Sequence, residues 1–293
     1  MRIVATLLSH EYNKGTEFSV KALSDVSLTI EEGAFLGVVG HTGSGKSTFI
    51  LHLDALIKTQ SGTLKMGDII LSPEKKKKAI IRKENRSLAQ KVGMVFQYPE
   101  HQLFAETVYE DVAFALKNFH PEYSDEKIYE SVKAAIELVG LDFSEIKDKS
   151  PFLISGGQKR RVAIAGVIVA RPEVLVLDEP CAGLDPAGKT ELWGLLKKLH
   201  ADFAKTVIVV SHDMNDVCEN CDSVAMFSEG KLVYHGGVKG LFETPSLIEE
   251  SGLELPVTAY LEKELGLSDL GSDLTIEDFS EKLAAKIKSK QNL

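Results

Sequence analysis

Gly40-His41-Thr42-Gly43-Ser44-Gly45-Lys46-Ser47 satisfies the spacing G-x-x-x-x-G-K-[ST] at every fixed position. The run before it, Ala34-Phe35-Leu36-Gly37-Val38-Val39, is continuously apolar, the pattern of a strand buried on both faces. After it, Ser47 to Ile57 has helical spacing. A buried strand, a glycine-rich turn and a helix in that order make a phosphate cradle. Glycines let successive backbone N–H groups turn inward, and the new helix presents the positive end of its dipole. Lys46 is placed to neutralise phosphate oxygens, and the Ser47 hydroxyl to ligate Mg²⁺ alongside waters and phosphate oxygens. Thr48 follows in the first helical turn and is counted with the loop.

Further along, Val174-Leu175-Val176-Leu177-Asp178-Glu179 repeats the buried strand and ends on two acids. Beside a phosphate loop, Asp178 is placed to hold Mg²⁺ through water, and Glu179 to orient or deprotonate an attacking water. A positioned base of that kind contributes ~10²–10⁴-fold. Ile154-Ser155-Gly156-Gly157-Gln158 opens an amphipathic helix, with Ser155 as its N-cap and two glycines exposing N–H groups at the positive end. It is a second candidate anion site in one chain.

The rest of the pattern is a mixture of strands and helices. Residues 1–35 read as short strands with turns, and residues 62–71 as a hairpin around Gly67-Asp68. Val92 to Phe96, Thr206 to Val210 and Val224 to Phe227 read as strands. Helical patterns cover 107–119, 124–139, Ser155 to Val169 and Pro186 to His200. Buried strands alternating with helices predict an α/β fold with a mostly parallel sheet covered on both faces. Residues 247–293 differ: ten acids against five lysines, with helical patterns broken at Gly252, Pro256 and Gly271, which predicts a small helical appendage. Lys75 to Lys78 reads as a solvated loop.

Composition narrows the function. Of 293 residues, 44% are hydrophobic and 26% charged, and 43 acids against 34 bases give a net charge of −9. A generally basic nucleic-acid binder is excluded. The longest apolar stretch, Val162 to Ala170, is far short of the ~20 residues that span a bilayer. Three cysteines suggest no disulfide framework and a reducing compartment. Cys218-x-x-Cys221 has the spacing of half a metal site but no second pair, so the thiols read as structural.

The order of these motifs resembles the ATPase domain of ABC transporters over about residues 3–245. It comprises the P-loop, Gln97 after Phe96, Ser155-Gly156-Gly157-Gln158, Asp178-Glu179, Ala182-Gly183-Leu184-Asp185 and Ser211-His212-Asp213. The resemblance implies a P-loop ATPase in residues 1–246, with an antiparallel N-terminal part and a helical subdomain at about 98–170. It implies ATP and Mg²⁺, and a head-to-tail pair in which each ATP lies between one P-loop and the other subunit's Ser155-type motif. Gln97 then contacts Mg²⁺ and water, His212 the γ-phosphate, and Asp185 the neighbouring subunit, while Tyr12 stacks on adenine. Ile154 stands where Leu is usual, and Cys181 where Thr or Ser is commoner.

Two stretches are more particular. Gln97-Tyr98-Pro99-Glu100-His101-Gln102-Leu103-Phe104 with Glu106-Thr107-Val108, and Arg160-Arg161-Val162-Ala163-Ile164-Ala165-Gly166-Val167-Ile168, are similar to ATPases of energy-coupling factor (ECF) transporters, importers of vitamins or transition-metal ions. His41-Thr42 leans toward the second of their two sibling ATPases. That family implies a sibling ATPase as partner, a transmembrane coupling subunit seated on the segment after Gln97, and a substrate-capture membrane protein reached through the complex. It implies a peripheral position on the cytoplasmic membrane face and no nucleic acid. Residues 247–293 are then expected to pack the two ATPases together, with Leu283 and Ile287 on a buried face. A soluble ABC protein acting on nucleic acid or ribosomes fits less well, because the stretch between Lys46 and Ser155, positions 109 apart, carries no sustained heptads. A P-loop kinase or GTPase leaves the Ser155 motif unexplained.

Overall fold

Along β3 (Phe35–Val39) successive side chains go to opposite cores, which is why the run carries no polar residue. Leu36 and Val38 join one core with Ile3, Leu8, Leu23, Phe49 and Phe227. Phe35 and Val39 join another with Val112, Ile164, Leu177, Leu196 and Val209. Gly37 sits between them because there is no room for a side chain: a Cβ there would lie 2.4 Å from Val217 Cγ1.

The computed structural model describes residues 1–73, 78–242, 244–266 and 276–291. The central sheet has six strands: β10 (Lys231–Gly237), β9 (Ser223–Ser228), β3, β8 (Thr206–Val210), β7 (Val174–Asp178) and β6 (Val92–Val95), in that spatial order. Five are parallel, and β10 pairs antiparallel with β9 at the edge. A second, antiparallel sheet has the order β2 (Val20–Ile30), β1 (Ile3–Tyr12), β4 (Ser61–Met66), β5 (Ile69–Leu71). Its apolar face and α1 (Lys46–Leu53) enclose the first core. The helices on the other face of the central sheet enclose the second.

The layered α/β architecture agrees with expectation, and several boundaries do not. The opening strands are long, at ten and eleven residues. The helix expected over Ser47 to Ile57 stops at Leu53: Asp54 caps it, and Ala55 turns left-handed at φ +52°. Nothing in the pattern predicts α2 (Lys78–Lys91), which is polar and anchored by fully buried Leu88. The Lys75–Lys78 run falls largely outside the described residues.

Helices α3 (Val108–Phe119), α4 (Asp125–Leu138) and α6 (Gly156–Ile168) pack together as the helical layer. Hydroxyl caps start all three, at Thr107, Ser124 and Ser155. The tail carries α10 (Pro245–Glu250), α11 (Val257–Leu265) and α12 (Ile276–Gln291). In α12 Phe279 is buried and Leu283 half-buried, but Ile287 is 49% exposed, so the expected apolar face is only partly covered in the single chain. Among the described residues no helix is long and apolar enough to cross a membrane.

Candidate active site

Strand register brings the motifs together. Val38 pairs with Val210, Val210 with Asp178, and Leu177 with Val95. The segments leaving β3, β8, β7 and β6 therefore all emerge at one edge of the sheet. They carry Gly40–Ser47, Ser211-His212, Asp178-Glu179 and Phe96-Gln97 respectively. In open α/β sheets that carboxyl edge is where ligands bind.

The loop is built as its glycines require. Gly40, Gly43 and Gly45 have φ of +150°, +83° and +106°. A Cβ at Gly40 would meet Phe227 O at 2.3 Å, and one at Gly45 would meet Ala22 O at 2.6 Å. Lys46 is 8% exposed and folds back into the loop, its Nζ donating to Gly40 O at 2.7 Å and His41 O at 3.0 Å. Burial pulls the pKa of its ammonium down, while Glu179 and Asp178 resist. Ser47 Oγ donates to Asp178 Oδ2 at 3.4 Å. Burial, then the neighbouring Glu179 charge, pushes the Asp178 carboxyl up, against Lys46 and Ser47. The hydroxyl and carboxylate offer oxygen only, the donor chemistry of Mg²⁺.

Glu179 is in the left-handed region at φ +47°, uncommon for a residue with a Cβ. Its amide is tied to Val210 O at 3.0 Å, and Oε2 lies 2.8 Å from His212 Nδ1. Strained backbone held by its surroundings is a feature of functional sites. Lys46, Ser47, Asp178, Glu179 and His212 thus form one cluster. Gln97 is exposed just past β6, its loop braced by Gln102, which accepts from Phe96 N and donates to Met94 O. Tyr12 ends β1 with its hydroxyl 3.3 Å from Thr48 Oγ1 and its ring edge-on to His10.

Two expected motifs, Ser155 to Gln158 and Asp185 with its loop, stand apart from that cluster. Ser155 and Gln158 form a reciprocal capping box, Ser155 Oγ accepting from Gln158 N and Gln158 Oε1 from Ser155 N. Asp185 Oδ1 caps α7 (Pro186–Asp202) by accepting from Gly188 N at 2.7 Å. Among the described residues no hydrogen bond joins either to the P-loop. A Cβ at Gly156 or Gly157 would meet nothing within 4 Å, so the chain's own packing does not explain these two glycines.

The cysteines are buried, and burial pushes the Cys181 and Cys218 thiols up to about 12, far from reactive thiolate. Among the described residues no cluster of three or more His, Cys, Asp or Glu could hold a metal.

Sequence reasoning missed one wall of the site. An open cleft of about 630 Å³ lies between His41 and Thr42, the His212–Asn215 segment, and Gly252 to Leu255 of the tail. Val257 N donates to Asn215 Oδ1 at 2.9 Å and fixes the tail there. No periodicity announces such a contact between segments forty residues apart.

The model of the ABC transporter family matches residues 23–182. The chain is 44% identical over 286 residues to the energy-coupling factor transporter ATP-binding protein EcfA2 of Clostridium tetani, covering 97% of this chain and 96% of that one. It is 45% identical to the EcfA2 of Acetivibrio thermocellus, covering 98% and 99%. Among solved structures, cbiO1 of Clostridium perfringens, part of the ABC transporter complex cbiONQ, superposes with a TM-score of 0.72 at 33% identity, covering 89% of this chain and 98% of that one. The ATP-binding cassette MJ0796, a dimer in a post-hydrolysis state with ADP and Pi, gives 0.71 at 27%, covering 81% and 99%.

Proposed function

The chain belongs to the ABC transporter family, as an ATPase of the energy-coupling factor type, and on that premise we propose how its residues drive an importer. The observation that carries the reading is the Lys46–Ser47–Asp178–Glu179–His212 cluster at the carboxyl edge of the sheet. The loop amides and Lys46 hold the β- and γ-phosphates of ATP. Ser47, Asp178 and Gln97 hold Mg²⁺, which when bound neutralises phosphate charge. Glu179 takes the proton of the attacking water, and its left-handed backbone aims the carboxylate toward His212, which contacts the γ-phosphate. Tyr12 stacks on the adenine.

One P-loop leaves the γ-phosphate facing water on its open side. The exposed N-terminus of α6, where a Cβ at Gly156 or Gly157 would meet nothing within 4 Å, is suited to close that side of a second subunit's site. ATP then holds two ATPases together and hydrolysis releases them, a ligand-driven population shift. The second ATPase is a sibling arranged head to tail, with residues 247–293 packing against its tail.

Exposed aromatics after Gln97, including Tyr98, Phe104 and Phe114, offer a transmembrane coupling subunit its seat on the cytoplasmic face of the membrane. Through it the motor serves a membrane protein that captures a vitamin or transition-metal ion.

Glu179→Gln tests the reading: it should lower turnover at least 100-fold while stabilising an ATP-bound dimer in size-exclusion chromatography. Parental turnover in that variant removes Glu179 as the base.

A further inference from the structure

The loop carrying Asp185 and the segment carrying His212 are not neighbours in sequence, yet one side chain joins them. Lys189 lies one turn into α7, and its amide donates to Asp185 O at 2.9 Å. Its Nζ crosses to the segment after β8, donating to Asp213 Oδ2 at 2.7 Å and Asp216 Oδ2 at 3.0 Å. Asp213 is the residue directly after His212. Its other oxygen, Oδ1, caps α8 (Met214–Asn220) by accepting from Asn215 N and Asp216 N, and its own amide donates to Ser211 Oγ at 3.0 Å.

This differs from an ordinary surface ion pair, which is worth little. All three side chains are half-buried or better, and two carboxylates three residues apart, one capping α8 and one in its first turn, share a single cation. Without that cation they repel, and the Asp213 carboxylate that sets the first turn of α8 is pulled out of place. His212 has no comparable anchor of its own. Its side chain is 70% exposed, and among the described residues its one polar side-chain contact is Glu179.

We infer that Lys189 is a positioning residue, which holds Asp213 and with it the backbone of His212 in register with the Asp185 loop. Any shift of the Asp185 loop moves α7, and Lys189 passes it to His212 along a rigid turn rather than through solvent. The inference rests on the reading of His212 as the γ-phosphate contact. A displacement of a reacting group by ~1 Å costs on the order of 10²-fold in rate, which sets the scale of the expected effect.

The test is ATP turnover by the full chain in its ATPase-active assembly, together with ATP affinity and melting temperature. Lys189→Met should lower kcat at least tenfold, with KM and Kd for ATP within threefold of the parent. Lys189→Arg, which can reach both carboxylates, should stay within threefold in kcat. Should Lys189→Met not fold, Lys189→Gln, which keeps a donor but no charge, makes the same comparison. Parental kcat in the uncharged variant overturns the inference, as does a loss that Lys189→Arg shares in full. His212→Ala in the same assay separates the two ideas. If it abolishes turnover while Lys189→Met does not, only the coupling fails. If His212→Ala turns over at the parental rate, the reading of His212 itself fails.

Discussion

The carboxyl end of α1 holds two ionisable groups, buried His52 and half-buried Asp54, whose pH dependences oppose each other. Burial lowers the pKa of His52 from 6.5 to about 4, outweighing its bond to Thr48 O, and neighbouring His10 lowers it further. A helix carboxyl end favours a charged imidazolium by at most ~2 kcal/mol, so burial wins. Between pH 4 and 6.5 the unfolded chain therefore binds a proton at His52 that the folded chain refuses. Stability rises with pH across that window, by about 3 kcal/mol in all at ~1.4 kcal/mol per pH unit. Asp54 is the reverse case, since burial raises it from 3.8 to about 7. The folded chain keeps that proton after the unfolded chain has lost it, so stability falls by about 4 kcal/mol as pH rises from about 4 to 7. In the intact protein the two slopes nearly cancel. Asp54→Asn should unmask His52: measured against the parent by urea unfolding at half-unit steps, it should gain about 4 kcal/mol between pH 4 and 7. His52→Gln, which can still donate to Thr48 O, should lose about 3 kcal/mol against the parent between pH 4 and 6.5. Differences that stay flat with pH in both variants would refute the assignment of these groups as neutral in the folded chain.

Lys46→Ala should weaken ATP binding at least 100-fold by calorimetry, because the loop loses its buried cation, and unchanged affinity removes the phosphate role. Ser155→Arg should block hydrolysis while leaving ATP binding to the isolated subunit intact, and loss of that binding argues against a site completed by a second subunit. Gly37→Ala should cost about 1–3 kcal/mol in urea unfolding, since its Cβ meets Val217 Cγ1 at 2.4 Å, and adding Val217→Ala should recover most of it. Parental stability in Gly37→Ala contradicts the packing.

The P-loop, the Asp178-Glu179 pair and the capped helix at Ser155 were legible in order and type because each is a local code. Glycines at fixed spacing, a strand ending in acids and a hydroxyl at a helix start act on the backbone within a few residues. The alternation of buried strands and helices likewise declared the α/β class, since each strand's face pattern depends only on its own residues. Strand order, by contrast, places β3 between β8 and β9, and periodicity carries no trace of it. That order aligns Asp178, His212 and Lys46 at one edge, and it turns Glu179 into its left-handed conformation under Val210. Nothing in the residues around Lys189 distinguishes it from other helix lysines, and only the fold sets it between Asp213 and Asp216. No local pattern shows that the surroundings of His52 and Asp54 disfavour their charged forms; packing alone decides that. Burial, and the contact of segments far apart in the chain, belong to the whole assembled molecule, and no window of residues contains them.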